Sequence, residues 1–207
     1  MVDFMHMGEA GTAYLLSFGL TCVFQISCFL IAFALKFDKI TDLAGCANFI
    51  FLAVGTLLLA PTPWNVRQMV LTCLVCASRF QLGAYLLYRV LKRGRDARFD
   101  EVREKCAVFL AFWVWQILWV FITSVGIIFV NARGELAAGT PIGPYDIVGW
   151  ALFVVGFVLQ VSSDMIKQNF RSNSANNKKV CDVGPWRYSR CACHPSKFAC
   201  ALVVSHI

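Results

Sequence analysis

Five long apolar runs constrain this chain more than any other feature of its sequence. They cover residues 13–35, 44–60, 66–91, 106–130 and 145–163. Each is close to, or longer than, the roughly 20 residues that a helix needs to cross a bilayer. Charged residues make up only 15% of the chain, whereas soluble domains average about 25%. The sequence therefore predicts an all-α, polytopic helical membrane protein that forms a single membrane domain over residues 1–207.

The basic residues are concentrated in short loops, and this distribution predicts the orientation of the protein in the membrane. Seven cations lie at the end of the third run and in the loop before the fourth: Arg89, Lys92, Arg93, Arg95, Arg98, Arg103 and Lys105. Loops rich in lysine and arginine face the cytosol in multi-pass proteins. We therefore expect residues 89–105 and 167–190 to be cytosolic and the N-terminus to face the other side. The net charge of +7 is therefore explained by these loops and does not indicate a nucleic acid partner.

Arg79 is a charged residue near the middle of the third apolar run. An arginine at that depth is costly unless it pairs with a buried group or faces water. We therefore expect Arg79 to line a polar cavity between helices, and the alternative is that its side chain extends to the membrane surface. Tyr85 and Tyr88 follow towards the cytosolic end, where each is either a phenolic hydrogen-bond donor or an interfacial anchor.

A second polar group begins where the fifth apolar run ends. Asp164, Lys167 and Arg171 are spaced so that they share one face of a helix. Trp186 and Tyr188 follow an Asn/Ser/Lys-rich linker. Cations neutralise phosphate oxygens, and aromatic rings stack on flat rings. The pattern suits a phosphate-bearing ligand held at the membrane surface, but the residues alone favour the alternative, a set of interfacial anchors with Trp186 and Tyr188 in an aromatic belt.

Three segments of the chain match patterns of one known superfamily. Residues 78–103 follow R-x-x-x-G-x-Y-L-L-x-R … G-x-D-x-R-F, and residues 112–121 form an aromatic run, FWVWQILWVF. Residues 156–190 contain D-x-x-K-x-x-F-R, then Asn177-Lys178, then W-x-Y-S-R. In these motifs the chain resembles the steroid 5-alpha-reductase superfamily, and within it an uncharacterised, polytopic, oxidoreductase-like branch.

The resemblance implies a membrane enzyme that binds NADPH in a cytosol-facing cavity and reduces a carbon–carbon double bond of a lipid, such as a steroid, sterol or polyprenol. It assigns six residues to the cofactor site: Asp164, Lys167, Arg171, Trp186, Tyr188 and Arg190. Such a reductase also needs an acid that protonates the neighbouring carbon. Tyr85 or Tyr88 is our candidate for this catalytic role, and Arg79 would line the substrate cavity. In a eukaryote we expect the endoplasmic reticulum membrane.

The chain departs from the superfamily pattern directly after Arg190. The pattern continues H-P-N-Y-x-G-E into more membrane helix, whereas this sequence continues CACHPSKFACALVVSHI. Either residues 191–193 are an insertion and His194-Pro195 aligns with H-P, or residues 191–207 are a divergent tail from an alternative exon. Both alignments lack the N-Y and acidic positions, and residues 198–207 amount to half a sixth span. We therefore expect a truncated sixth helix, weak cofactor binding and little or no turnover, as in a truncated isoform.

The same tail raises the question of a metal site. Its candidate ligands, with one from the preceding linker, are Cys181, Cys191, Cys193, His194 and Cys200. The spacing C-x-C-H is not that of a zinc finger or ribbon, so we expect no metal. Unpaired cytosolic thiols and palmitoylation sites are the other interpretations.

Three classes of function stay open on the sequence. The first is an NADPH-dependent reductase of a lipid double bond. The second is a methyltransferase, because isoprenylcysteine carboxyl methyltransferases resemble the superfamily in an R-H-P-x-Y region. The third is a non-catalytic membrane protein that pairs with a full-length isoform. The long apolar run before Asp164 and the D-x-x-K-x-x-F-R motif favour the reductase. Binding of NADPH, of S-adenosylmethionine or of neither would separate the three.

Overall fold

The computed structural model describes residues 3–36, 40–60, 63–93, 105–134, 141–173, 176 and 179–188, and these contain helices and no strand. The long helices are α1 (Asp3–Ala34), α2 (Thr41–Leu59), α3 (Val66–Arg93), α4 (Cys106–Ala132) and α5 (Pro144–Ser172), and a short α6 (Pro185–Tyr188) follows. All five long helices are long and apolar enough to cross a membrane. The all-α, multi-pass membrane fold is thus confirmed. The expected truncated span at 198–207 lies outside the described residues.

The chain divides into two compact units, Met1–Pro141 (unit 1) and Ile142–Ile207 (unit 2). Unit 1 is a bundle in which α2 and α4 contact each other, α1 packs mainly on α4, and α3 packs mainly on α2. The ring of Phe29 in α1 lies 5.7 Å from that of Phe109 and 6.4 Å from that of Trp113, both in α4. Lipid tails are as apolar as these side chains, so close packing and polar contacts hold such helices together.

Amide side chains join three helix ends on one side of unit 1. The Gln68 backbone N–H donates to the Asn65 side-chain oxygen at 2.9 Å, and the Asn65 N–H donates to the Gln68 side-chain oxygen at 3.1 Å. This reciprocal pair caps the start of α3. The Gln68 amide donates to the Asn131 carbonyl oxygen at 3.0 Å, and the Asn131 amide donates to the Thr56 hydroxyl at 2.9 Å. The cap therefore also ties α3 to α4 and α4 to α2.

An ion pair joins α2 and α3 at the opposite end of unit 1. The Arg89 guanidinium lies 3.4 Å from the Asp42 carboxylate. Gly83 lets the two helices approach, since a Cβ at that position would lie 3.3 Å from the Cys46 Cβ. Lys36 and Lys105 also lie at this end, beyond the C-terminus of α1 and before the N-terminus of α4. It is the end that the sequence predicts to be cytosolic.

Unit 2 contains α5 and the segment that follows it. The Asp146 carboxylate accepts a hydrogen bond from the Gly143 N–H at 2.9 Å, which caps the helix beside Pro144. The helix continues beyond the predicted end of the apolar span at 163 to Ser172, so Asp164, Lys167 and Arg171 are helical, as their spacing indicated. Its 29 residues correspond to about 43 Å, against about 30 Å of hydrocarbon. The last turns of α5 therefore extend beyond the apolar span.

The alternation of helices in unit 1 makes the orientation directly testable. A glycosylation acceptor in a flexible insert after residue 96 should stay unmodified, because that loop follows the basic end of α3. The same insert after residue 137 should be glycosylated, because α4 ends on the other side. Translation with microsomes, followed by gel mobility before and after endoglycosidase, measures both. Efficient glycosylation at 96 with none at 137 would reverse the topology.

Candidate functional site

The last turns of α5 present one face to the segment that returns after the helix. Phe170 lies four residues after Ile166 and three after Lys167, so both side chains neighbour it on the helix surface. Cys181 and Trp186 are buried against Ile166 and Phe170. Within the matching segment 156–190, the W-x-Y part therefore folds back onto the D-x-x-K-x-x-F-R part, and two stretches that are separated in the sequence form one local structure.

Trp186 is the centre of this contact. Its indole N–H donates to the Ser163 carbonyl oxygen at 2.9 Å. The Lys167 Nζ lies 4.1 Å from the centroid of the indole ring, which is within the range of a cation–π interaction. Only 8% of Trp186 is exposed. The residue therefore holds the lysine at the end of α5, and little of its own ring is accessible to a ligand.

Gly184 makes the return of the chain possible. Its φ is +61°, a left-handed conformation that strains residues with a side chain. A Cβ at Gly184 would also lie 2.9 Å from the Ile166 Cδ1. Pro185 then begins α6, and the Arg187 N–H donates to the Gly184 carbonyl oxygen at 3.1 Å. This tight turn sets the position of Trp186 on α5.

The other residues that the resemblance assigns to the cofactor site differ in exposure. Asp164 is buried, whereas Arg171 is exposed and Tyr188 is 89% exposed. Lys167 and Arg171 are separated by about 6 Å of helix rise, so both cations lie at the end of α5. Arg190 lies outside the described residues.

Sequence reasoning missed the residues that hold the returning segment in place. They are Ile166, Phe170, Asn176, Cys181 and Gly184. The Asn176 side-chain amide donates to the Phe170 carbonyl oxygen at 3.1 Å, near the C-terminus of α5, where carbonyl groups lack helical partners. The Gly-Pro pair before Trp186 was an available turn signal. The packing of Cys181 on Phe170 has no counterpart in a sequence motif. The other four candidate metal ligands lie outside the described residues.

Arg79 lies at the middle of α3 in unit 1. Its guanidinium carbon is 4.0 Å from the centroid of the Phe49 ring, so a cation–π contact joins α3 to α2. Its Nε is buried and has no hydrogen-bond partner within the described ranges. The contact with Phe49 places the guanidinium between two helices of the bundle. That Arg79 lines a polar substrate cavity stays a prediction.

The two candidate proton donors have different surroundings. Tyr85 is half-buried, whereas Tyr88 is exposed and has the Lys92 Nζ at 3.5 Å from its hydroxyl oxygen. Tyr88 follows Arg79 by nine residues, about two and a half helical turns, so the two lie on opposite sides of α3. Tyr85 follows Arg79 by six residues and is rotated by about 120° from it. The structure therefore does not bring Arg79 and Tyr88 to one face.

Comparison with known proteins identifies the family. The chain matches the family described as "Protein of unknown function (DUF1295)" over residues 28–204. A search of the curated proteins and a search of the solved structures found no match. The matched range covers most of the chain and includes both polar motifs, which confirms the resemblance at the level of the superfamily. This chain belongs to the DUF1295 family, which lies within the steroid 5-alpha-reductase-like superfamily.

Proposed function

We propose that the protein is an NADPH-dependent reductase of a carbon–carbon double bond in a membrane lipid, or a truncated isoform of one with little turnover, and that in a eukaryote it lies in the endoplasmic reticulum membrane. Membership of the superfamily supports the reaction class. The observation that carries the proposal is the contact of Lys167 with Trp186. It joins the two halves of the motif that the superfamily resemblance assigns to the cofactor.

The residues at the end of α5 fit a ligand that carries several phosphates and flat rings. Arg171, Lys179 and Arg187 are exposed cations in the described part of unit 2. Lys167 is held in place by Trp186. Guanidinium and ammonium groups bind phosphate oxygens through charge-assisted hydrogen bonds. Tyr188 provides an exposed aromatic ring. In charge and residue type, therefore, this surface suits NADPH.

Each residue has a distinct role in this proposal. When bound, NADPH supplies the hydride for the lipid double bond. Lys167 and Arg171 hold phosphate groups, and Tyr188 stacks on a ring of the cofactor. Tyr85 donates a proton from its phenol to the carbon next to the one that is reduced, in preference to Tyr88, which lies on the side of α3 opposite to Arg79. Arg79 lines the cavity that receives the lipid.

Binding of NADPH tests the cofactor assignment. Arg171→Ala should weaken NADPH binding about tenfold to a hundredfold, because a hydrogen bond to a charged group contributes roughly 1.5–3 kcal/mol. NADH should bind less well than NADPH to the unmodified protein, because it lacks the 2′-phosphate. If Arg171 contacts that phosphate, NADH binding should weaken less on the substitution. Titration of the purified protein in detergent, followed by cofactor fluorescence, measures both affinities.

Arg67→Ala is the matched control, since it removes one cation from the start of α3 and should leave NADPH binding unchanged. Saturable binding of S-adenosylmethionine without NADPH would favour a methyltransferase instead. A folded protein that binds neither ligand would support a non-catalytic role. Equal weakening by Arg67→Ala and Arg171→Ala would show that the binding reflects net charge and not a built site.

A further inference from the structure

A groove of about 290 Å³ lies in unit 1 between α2, α3 and α4. Trp115 and Trp119 of α4 contribute aromatic surface to its lining, and Leu82 and Leu86 of α3 contribute aliphatic surface. The three helices are long and apolar enough to cross a membrane. A ligand that packs on these side chains is therefore a lipid, or a molecule that partitions into the membrane.

Gln116 is the neutral amide in the lining of this groove, and only 6% of it is exposed. Its Nε2 donates to the Thr41 carbonyl oxygen at 3.0 Å and to the Gln25 Oε1 at 3.3 Å. A backbone carbonyl only accepts, so the Thr41 contact establishes which end of the carboxamide is the nitrogen. Both amide protons are thereby used inside the bundle. The Oε1, which has no hydrogen bond within the described residues, is left to accept one.

Gly45 allows the Gln116 side chain to adopt this position. A Cβ at residue 45 would lie 2.8 Å from the Gln116 Nε2, closer than such atoms approach without a shift. The carboxamide of this α4 residue is therefore held by contacts with Gln25 of α1 and with Thr41 and Gly45 of α2. Its orientation is set by the bundle, before any ligand is present.

The other polar groups in the lining favour a ligand that donates a hydrogen bond. Asp42 also lines the groove, and its carboxylate already has the Arg89 guanidinium at 3.4 Å. The Cys46 thiol is a weak donor. Apart from Asp42 and Cys46 the lining is apolar and aromatic or glycine, and Gln116 offers an uncharged acceptor in it. A hydroxyl group on the ligand can donate to it, whereas a ketone, an ester or an ether cannot.

We propose that this groove binds a lipid alcohol. The apolar part of the molecule lies against Trp115 and Trp119, and its hydroxyl donates to the Gln116 Oε1. The site distinguishes an alcohol from an ether or ketone of similar shape, because only the alcohol can donate a hydrogen bond to the Gln116 Oε1. This inference does not rest on the proposed reductase activity, since the binding needs neither NADPH nor turnover.

Quenching of tryptophan fluorescence by a brominated alcohol tests the proposal on the full chain in detergent. The probe is 6-bromo-1-hexanol, whose bromine quenches nearby indoles and whose hydroxyl supplies the donor. Its methyl ether, 1-bromo-6-methoxyhexane, keeps the chain and the bromine without the donor. The alcohol should quench saturably and bind about twofold to tenfold more tightly than the ether, which is the contribution of one neutral hydrogen bond.

Four variants make the test specific. Gln116→Leu should remove the preference for the alcohol, and Gly45→Ala should reduce it by displacing the carboxamide. Trp119→Phe should lower the quenched signal, whereas Trp64→Phe, outside the groove, should leave the quenched signal unchanged. Equal binding of the two probes to the unmodified protein would overturn the proposal, and so would a preference that survives Gln116→Leu. If Gln116→Leu does not fold, the relative affinities of the alcohol and the ether for the unmodified protein and for Gly45→Ala still test the proposal.

Discussion

Trp186→Ala should release the returning segment from α5 and make it accessible to trypsin. Trp186 is buried against Ile166 and Phe170, and its N–H donates to the Ser163 carbonyl oxygen. Replacing a buried tryptophan with alanine typically costs about 3–5 kcal/mol. The equilibrium constant for local opening should therefore rise about a hundredfold or more. The rate of cleavage after Arg187, followed by mass spectrometry under native conditions, measures this opening.

Two further substitutions separate packing from hydrogen bonding. Trp186→Phe keeps an aromatic ring on Ile166 but loses the donor, so it should accelerate cleavage by only about tenfold or less, the value of one hydrogen bond. Tyr188→Ala alters the same segment at a side chain that is 89% exposed, so cleavage should stay at its original rate. If Tyr188→Ala accelerated cleavage as much as Trp186→Ala, burial of the indole would not be what holds the segment.

The release of Trp186 should also affect NADPH binding. The indole ring holds the Lys167 Nζ at 4.1 Å, so without the ring the lysine side chain becomes free to move and loses more freedom when it binds a phosphate. Trp186→Ala should therefore weaken NADPH binding. Rapid proteolysis with unchanged NADPH affinity would remove the segment from the cofactor site while leaving its structural role intact.

Arg79→Leu should make α3 insert into the membrane more favourably. On the insertion scale a central arginine costs about 2.5–3.5 kcal/mol, and leucine contributes about −0.3 to −0.6. The substitution should therefore lower the apparent insertion free energy of residues 66–93 by about 3–4 kcal/mol. A glycosylation reporter that carries this segment as a test helix measures the change.

In the full chain the same substitution should, in contrast, weaken the packing of α3 on α2. It removes the contact between the guanidinium and the Phe49 ring, which contributes up to about 2 kcal/mol when desolvated. If Arg79 lines a substrate cavity, Arg79→Leu should leave a folded protein that no longer binds its lipid. Arg79→Lys is the control, since it keeps the charge and the cost of insertion but loses the planar group. Loss of a detergent-stable fold on Arg79→Leu would assign the arginine to structural pairing instead.

The five long helices, and the limits of α3 and α4, were predictable because they depend on local properties of the sequence. The predicted spans 66–91 and 106–130 correspond to α3 (Val66–Arg93) and α4 (Cys106–Ala132). The length of an apolar run, together with the prolines and polar caps at its ends, is sufficient to determine such a helix. The end of α5 was less predictable from hydropathy, because a helix continues as long as its backbone hydrogen bonds are made. Hydropathy marks only where it leaves the hydrocarbon.

Only the tertiary structure decided which polar groups meet. Gln25 lies in the first apolar run and Gln116 in the fourth, yet they are 91 positions apart and no motif pairs them. Trp186 was recognisable as part of a motif, but its burial on α5 and its bond to the Ser163 carbonyl oxygen were not. The physical reason is that the rotation of a helix about its axis, and its register against a neighbour, are set by all the side chains along their interface. These are properties of a pair of helices, so neither run contains them alone.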